Sequence, residues 1–543
     1  MRVSKSGKWA FASRDVFAAV CEHCTRLDMA VAAKVPEILA RVEPFKVDLS
    51  KKVHVIQGNE YEDAIFAELA ASVAPGDFLE FDRSNQSLEA TLAALHRGVP
   101  LVAQAMFVHE FGEFEWMGYA DLLVREDFAL EVSDSGKLVA VPVSKGTGSN
   151  ESSPPPKYVV WDVKHAKSAS PKYWKQIAGY AEVLESYGLA SAEPLGVILS
   201  GRKLARNDYE ASLREMQLAR ATLFERLALA TPSTITQDFA PLTCCASRGV
   251  CDEIYCSYPD LCAKLRYEQD SLEQLPGGLP QHRAALNAAG VFTTAQLSVW
   301  PSTQSVPNLT EALLTKYIQW SKVIQDERSN GPAVVKTMNP SDAGLPALDP
   351  GDLFFDIEWF NPLEQDELIF MFGVVDANEM FTAFLADDVA EERIAFEKFV
   401  EFASDNLRKH PSSHIYHYSD PEPGRLRKLA ARYGVLVAEV ETLVQAMVDL
   451  KRVAKASIMP GCGGYSIKQL ERYYSADSKL NRGSLVKGGD DAMYQYYEFV
   501  QLTKVGQSAD ATAVMQVILD YNRDDCLSTK LLAEWLESLN QRV

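Results

Sequence analysis

Apolar positions along the chain switch between two periods, and each switch marks an element. After Ser13-Arg-Asp15 an i, i+3, i+4 pattern predicts a helix with Ser13 as its N-cap, and a second helix is predicted over 60–72. Period-two stretches then predict strands over 118–125, 128–132, 138–143 and 158–164. Between the last two lies SKGTGSNESSPPPK, whose composition predicts a mobile surface loop. Helical periodicity returns over 171–187 and 208–230. From 266 to about 345 the pattern is helical, without a strong strand signal. There LPGGLPQHRAALNAAGVFTTAQL reads as turn, helix, turn, helix. It fits a helix–hairpin–helix that offers backbone amides to phosphates, or a plain helical connector. A Pro-, Gly- and Asp-rich run over 339–351 marks a boundary. Beyond it LFFDIEWF and ELIFMFGVV predict two strands, 380–385 a third and HIYHY a fourth, with a helical tail ending at Asn540.

These periods describe an α/β chain in three segments: 1–265, a helical connector over 266–345, and 346–543. At 543 residues the chain is too long for one core. The net charge of -20 argues mildly against a nucleic-acid coat protein but says little about a local groove. The longest apolar stretch, 368–375, is too short to cross a bilayer, and the basic N-terminus lacks an apolar segment of export type. A cytoplasmic protein without a membrane partner is expected. In a reducing compartment, five cysteines between Cys244 and Cys262 suggest metal binding more than disulfides.

Two carboxylate clusters carry the chemistry. Residues i and i+2 of a strand share a face, so Asp162 and Lys164 project together. The carboxylate can hold Mg²⁺ or Mn²⁺, and the ammonium can activate water or stabilise charge on a phosphorane. Asp121, on another predicted strand, would supply a further ligand. Gln176 and Tyr180 stack on one helix face, placed to contact a DNA strand or the lysine. The ordered set Gly58-x-x-Tyr61-Glu62, Gly118-Tyr-Ala-Asp121, Asp162-x-Lys164 and Gln176-x-x-x-Tyr180 resembles the RecB-type branch of the PD-(D/E)xK nucleases. That resemblance implies a restriction-endonuclease-like fold, with Glu62, Asp121 and Asp162 on metal and Lys164 assisting the nucleophile. Iron–sulfur members of the branch place one cysteine before the core and three after it. Cys21 and Cys251-x4-Cys256-x5-Cys262 follow that order. The resemblance implies a [4Fe–4S] cluster, while four thiolates by themselves suit structural zinc equally. The first gap is wider than the branch pattern, which leaves Cys24, Cys244 and Cys245 as substitute ligands.

In the second cluster Asp356 and Glu358 share a strand face, and Tyr521 and Asp525 lie one helical turn apart. This resembles the first and last motifs of DEDD-type exonucleases of the tyrosine subclass. It implies an RNase-H-like fold and metal on Asp356, Glu358 and Asp525. In the middle motif, His417-Tyr-Ser-Asp-Pro-Glu422, Tyr418 replaces the usual asparagine and Glu422 the usual aspartate, with Asp420 and Asp449 as competitors. The module is thus either active or a nuclease-shaped clamp. Arg425, Arg427, Lys428, Lys451, Arg452 and Lys455 are either a solvated face or phosphate contacts. Gly461-Cys-Gly-Gly464 reads as a flexible loop, and Cys462 lacks partners for a metal site.

The whole order resembles a bacterial family of RecB-like nucleases, in which such a module precedes a helical segment and an RNase-H-like domain. Some relatives carry a fused superfamily 1 helicase. This chain has no Gly-x-x-x-x-Gly-Lys-Ser/Thr loop, so a helicase would act in trans. The resemblance implies a divalent-metal-dependent exodeoxyribonuclease acting on single-stranded or end-exposed DNA, with RNA left open, in repair, recombination or defence. The alternatives are a non-catalytic nucleic-acid-binding scaffold that retains nuclease folds and an iron–sulfur-dependent nucleic-acid-binding sensor.

Overall fold

A computed structural model describes residues 1–45, 52–82, 86–143, 155–239, 257–419, 421–475, 480, 486 and 488–540. Most of the loop expected over 144–157 lies outside these residues, as do Cys244, Cys245, Cys251, Cys256 and Asp420. The chain forms two compact units, residues 1–50 with 54–265, and residues 51–53 with 266–543.

In the first unit the spine is an antiparallel hairpin of Leu101–Phe111 and Phe114–Arg125. The free edge of Phe114–Arg125 pairs with Trp9–Phe11 in parallel and with Tyr158–Val163 antiparallel. Leu195–Leu199 then joins Tyr158–Val163 in parallel, and helix Pro171–Ser186 provides the crossover that a parallel pair requires. Tyr158–Val163 is buried at every position, so Asp162 sits inside an apolar wall. The period-two reading located Phe114–Arg125 and Tyr158–Val163 but not Leu101–Phe111 or Leu195–Leu199. Those two strands are covered on both faces for most of their length and read as apolar runs, not as alternations. The first helix also differs from expectation. Ala12, not Ser13, is its N-cap, and the Asp15 carboxylate accepts the Ala12 N–H at 2.8 Å and the terminal amine at 2.9 Å. That helix ends at Ala18, and Cys21 caps a separate helix, Glu22–Ala32.

The second unit is built on a five-stranded sheet. Its order is Phe381–Leu385, Leu368–Asp376, Leu353–Phe360, Ile415–His417, Met447–Asp449. The first three strands are antiparallel and the last two run parallel to Leu353–Phe360. Leu353, Phe355 and Ile357 face helices Val389–Lys409, Pro421–Tyr433 and Val437–Gln445, and the Phe355 ring stacks on Phe399 with centroids 4.5 Å apart. The opposite face carries Phe354, which packs with Cys526, Leu532 and Leu536 of the long helix Ser508–Ser538. Period two therefore puts Asp356 and Glu358 under that helix.

Helices Pro280–Ala288, Thr294–Ser298 and Glu311–Asn330 share a core that extends to Met459. Trp320 donates its indole N–H to the Pro460 carbonyl at 2.9 Å, and a short strand, Val334–Lys336, pairs with Ile458–Pro460. The helical reading had no strand there. Gly461–Gly464 is close-packed, contrary to the flexible loop expected. A Cβ on Gly461 would lie 2.6 Å from the Glu327 carboxylate, and one on Gly463, at φ +70°, 2.6 Å from the Gln274 carbonyl. Among the described residues no helix is long and apolar enough to cross a membrane.

Phe355→Ala should lower the stability of the second unit by about 3–5 kcal/mol. A urea titration followed by tyrosine and tryptophan fluorescence reads this as an earlier transition of that unit alone.

Candidate active sites

The first unit brings Asp121 and Asp162 together from neighbouring strands. Lys164 spans them, its Nζ 2.8 Å from Asp162 Oδ1 and 3.3 Å from Asp121 Oδ2. The Val163 N–H also donates to Asp121 Oδ2 at 3.0 Å. Burial works against the Asp121 charge, but the Lys164 ammonium and hydrogen bonds from Asp162, Val163 and Lys164 outweigh it and hold this carboxyl below its usual range. Asp162 goes the other way: burial, with the Asp121 charge beside it, pushes it well above that range. The two carboxyls are thus shifted in opposite directions by one environment. Asp162 Oδ2 is buried without a hydrogen-bond partner among the described residues. An oxygen so placed fits the inner shell of a hard cation.

Lys164, Glu62, Gln176 and Tyr180 line one cavity of about 840 Å³, with Gly58 and Tyr173 also in its wall. Glu62, however, does not join the two aspartates to form a three-carboxylate set with oxygens mutually within 4.8 Å. Its carboxylate accepts the amide of Gln104, a residue the sequence reading passed over. Gln104 lies opposite Asp121 in the hairpin with φ +54°, a left-handed conformation inside a strand. Tyr180 acts on the same hairpin: its hydroxyl accepts the Tyr119 N–H at 3.1 Å, and its ring meets Trp116 edge-on at 5.1 Å. Gly118 permits that approach, since a Cβ there would lie 2.6 Å from the Tyr180 ring. The Gly58-x-x-Tyr61 part of the motif is structural at Tyr61, which is fully buried and donates to the Leu199 carbonyl at 2.5 Å.

In the second unit Asp356, Glu358 and Asp525 each bring an oxygen within 4.8 Å of the others, the one such group of three among the described residues. Glu358 ends a regular stretch of strand, because the register shifts between Glu358 and Trp359. Burial, then the Glu358, Asp525 and Glu422 charges, push Asp356 well above the usual carboxylate range. Burial and Asp525 raise Glu358 to about 8, against opposing effects of Asn522 and Lys468. Three hard oxygen donors that repel one another fit Mg²⁺ or Mn²⁺.

Asn522 was not recognised in the sequence. It is fully buried, and its amide nitrogen donates to Asp356 Oδ2 at 2.9 Å and to Glu358 Oε1 at 3.3 Å. Gly373, opposite Asp356 in the sheet, makes room for it: a Cβ there would lie 1.7 Å from the Asn522 oxygen. Cys526, one turn on, sits with Sγ 3.3 Å from the Gly373 carbonyl. The glycine is thus the point where helix Ser508–Ser538 rests on the sheet. Tyr521 donates its phenol to Asp525 and accepts from Lys468 Nζ at 3.2 Å, and burial keeps the phenol protonated.

The middle motif is only partly engaged. Glu422 is near enough to raise Asp356, yet its carboxylate is held by His417 Nδ1 at 3.1 Å and it stands outside the group of three. Asp449 caps helix Leu450–Ser457 and accepts the Ser419 N–H at 3.0 Å. Arg425 forms a two-point pair with Glu367, both contacts 2.9 Å, and Arg427 one with Glu441 at 2.7 and 3.0 Å. Both arginines thus already serve carboxylates of their own unit. Of the cysteine set, Cys21, Cys24 and Cys262 are buried in one cluster with Leu27, Tyr258 and Leu261.

The family model RNase_H_2, of the RNase_H superfamily, matches residues 353–537. The match spans all five strands of the second sheet and the helix that carries Asp525. Comparison with curated proteins and with solved structures gave no match. Residues 353–537 are therefore an RNase-H-like domain, a fold that in general serves metal-dependent nucleases.

Two outcomes follow from this geometry. Gly373→Ala should lower stability by about 1–3 kcal/mol through overpacking, and thermal melts should show that Mn²⁺ no longer stabilises the variant. The second concerns pH. A carboxyl raised in the folded state loses stability as pH climbs from its unfolded value to its folded one, here to about 8 for Glu358. Chelator-treated protein should melt lower at about pH 9 than at about pH 6, and Mn²⁺ should give the larger gain at the higher pH, where protons no longer compete. An equal gain at both would remove Glu358 from the ligand set.

Proposed function

We propose that the protein is a divalent-metal-dependent nuclease that hydrolyses phosphodiester bonds of single-stranded or end-exposed DNA in repair, recombination or defence. The observation that carries this reading is the meeting of Asp356, Glu358 and Asp525, brought by a strand and a distant helix to one buried point. Glu182 and Glu392 each pair with an arginine, Arg220 and Arg432. The three carboxylates of the triad crowd one another with the Asn522 amide and the Tyr521 phenol as neutral donors, an arrangement that suits a cation. Bound there, Mg²⁺ or Mn²⁺ would lower the pKa of water and neutralise charge on the phosphate.

The chain's own residues divide the remaining work. Asn522 separates the two strand carboxylates and fixes which oxygens face outward. Tyr521 keeps its proton and points it at Asp525, a geometry able to orient a water. In the first unit, Lys164 holds the Asp121–Asp162 pair and opens onto the cavity lined by Glu62, Gln176 and Tyr180. We read that unit as a RecB-type PD-(D/E)xK module, supported by the Lys164 ammonium between Asp121 and Asp162 and by the orphaned Asp162 oxygen. The cysteines fit the same reading. Cys21 and Cys262 share one buried cluster, and with Cys251 and Cys256 they would hold a [4Fe–4S] group or structural zinc, with Cys24 of the same cluster as a substitute ligand.

A second reading, a nucleic-acid clamp without cleavage, is favoured by the His417 contact that occupies Glu422. The two readings part in one experiment. Purified protein with Mg²⁺ or Mn²⁺ should degrade labelled single-stranded DNA, and the double variant Asp162→Ala/Asp356→Ala should fall at least about a hundredfold below it. Gel-shift retention with no cleavage under any divalent ion would support the clamp and sink the nuclease. Iron and zinc analysis of anaerobically purified protein, with its visible absorbance, decides the cysteine group. Cys21→Ala should lose that metal.

A further inference from the structure

We propose that Lys468 is a phosphate-binding catalytic residue of the second site, its ammonium meeting a non-bridging oxygen of the scissile phosphate beside Tyr521. The inference rests on the nuclease reading and adds to it a residue that no motif named.

Lys468 lies on the short helix Ile467–Leu470, which follows the close-packed Gly461–Gly464 loop and opens with a Ser466–Gln469 capping box. Its Nζ is 3.2 Å from the Tyr521 hydroxyl and 4.8 Å from the centre of that ring. Tyr521 donates to Asp525, so a donor chain runs from the ammonium through the phenol to the acidic group. The ammonium is also close enough to act on Glu358. It thus stands at the edge of three carboxylates without occupying their centre.

That position answers a problem the site creates. The substrate is a polyanion and the pocket is acidic, so a phosphate needs a cation where it enters. Arg425 and Arg427, which follow the middle motif, pair with Glu367 and Glu441. Lys468 reaches the triad through one hydroxyl. The first unit has a counterpart in Lys164, which sits directly between its two aspartates. During hydrolysis a water oxygen bonds to phosphorus as the bond to the leaving sugar oxygen breaks, and the proton that water loses is matched by one gained at the leaving oxygen. The Lys468 side chain offsets the charge that grows on the non-bridging oxygen.

The test uses the full chain carrying Asp162→Ala, so that cleavage reports on the second site. Lys468→Ala should lower kcat/KM about a hundredfold, and Lys468→Arg should recover much of the loss. Mn²⁺ stabilisation in thermal melts should not change, because the carboxylates remain. Lys468→Met, which keeps the aliphatic stem over the Tyr521 ring, should match Lys468→Ala and controls for packing. Binding of a trinucleotide in Ca²⁺ supplies a readout independent of cleavage. The Lys468 protein should prefer the ordinary trinucleotide over its neutral methylphosphonate analogue, and Lys468→Ala should lose roughly tenfold of that preference. Unchanged kcat/KM with unchanged preference overturns the proposal. If the Asp162→Ala protein binds with this contrast but never cleaves, the phosphate contact stands and the nuclease reading of the second site fails.

Discussion

Like charges do not gather inside a protein unless the fold forces them, and the second unit forces three. Helix Ser508–Ser538 can bring Asp525 to Asp356 and Glu358 only because Gly373 leaves the sheet surface open beneath Asn522. The apolar seam of Phe354, Cys526, Leu532 and Leu536 supplies the driving force for that seating. Packing of the helix thus works against the repulsion of the carboxylates it carries. The raised pKa values of Asp356 and Glu358 reflect burial and that opposition, and a divalent ion or protons relieve it.

The first unit meets a similar problem differently. Asp121 and Asp162 are also buried and adjacent, but Lys164 lies between them and contacts both. That pair has its cation in direct contact, whereas the triad of the second unit has its cation one hydroxyl away. Both units place acidic residues on largely buried strands beside a helix. The sheets differ in strand order and direction, so the likeness is one of chemistry and not of fold.

Much of this was legible in the chain, for identifiable reasons. Asp162 with Lys164, and Asp356 with Glu358, follow from period two alone; Tyr521 with Asp525 follows from the helical turn. Strand Leu101–Phe111 was missed because burial on both faces erases alternation. Gln104 and Asn522 were missed because an amide in a strand or a helix carries no local signal. Each becomes informative only through a partner far away in sequence, Glu62 for one and Asp356 for the other. Glycines before Tyr119 and after Phe372 were the available hints, since both mark close approach by a distant ring or amide.

The sequence by itself determined which side chains share a face, because strand and helix periods are properties of the local backbone. It also determined that acidic pairs sit within apolar runs, where their charge must be answered. Which carboxylates meet was decided only in three dimensions. Glu62 was drawn aside by Gln104, Glu422 was held by His417, and Asp449 was spent as a helix cap, while Asp525 reached its partners. Hydrogen-bond competition at the ends of distant elements made that selection, and no local period encodes it.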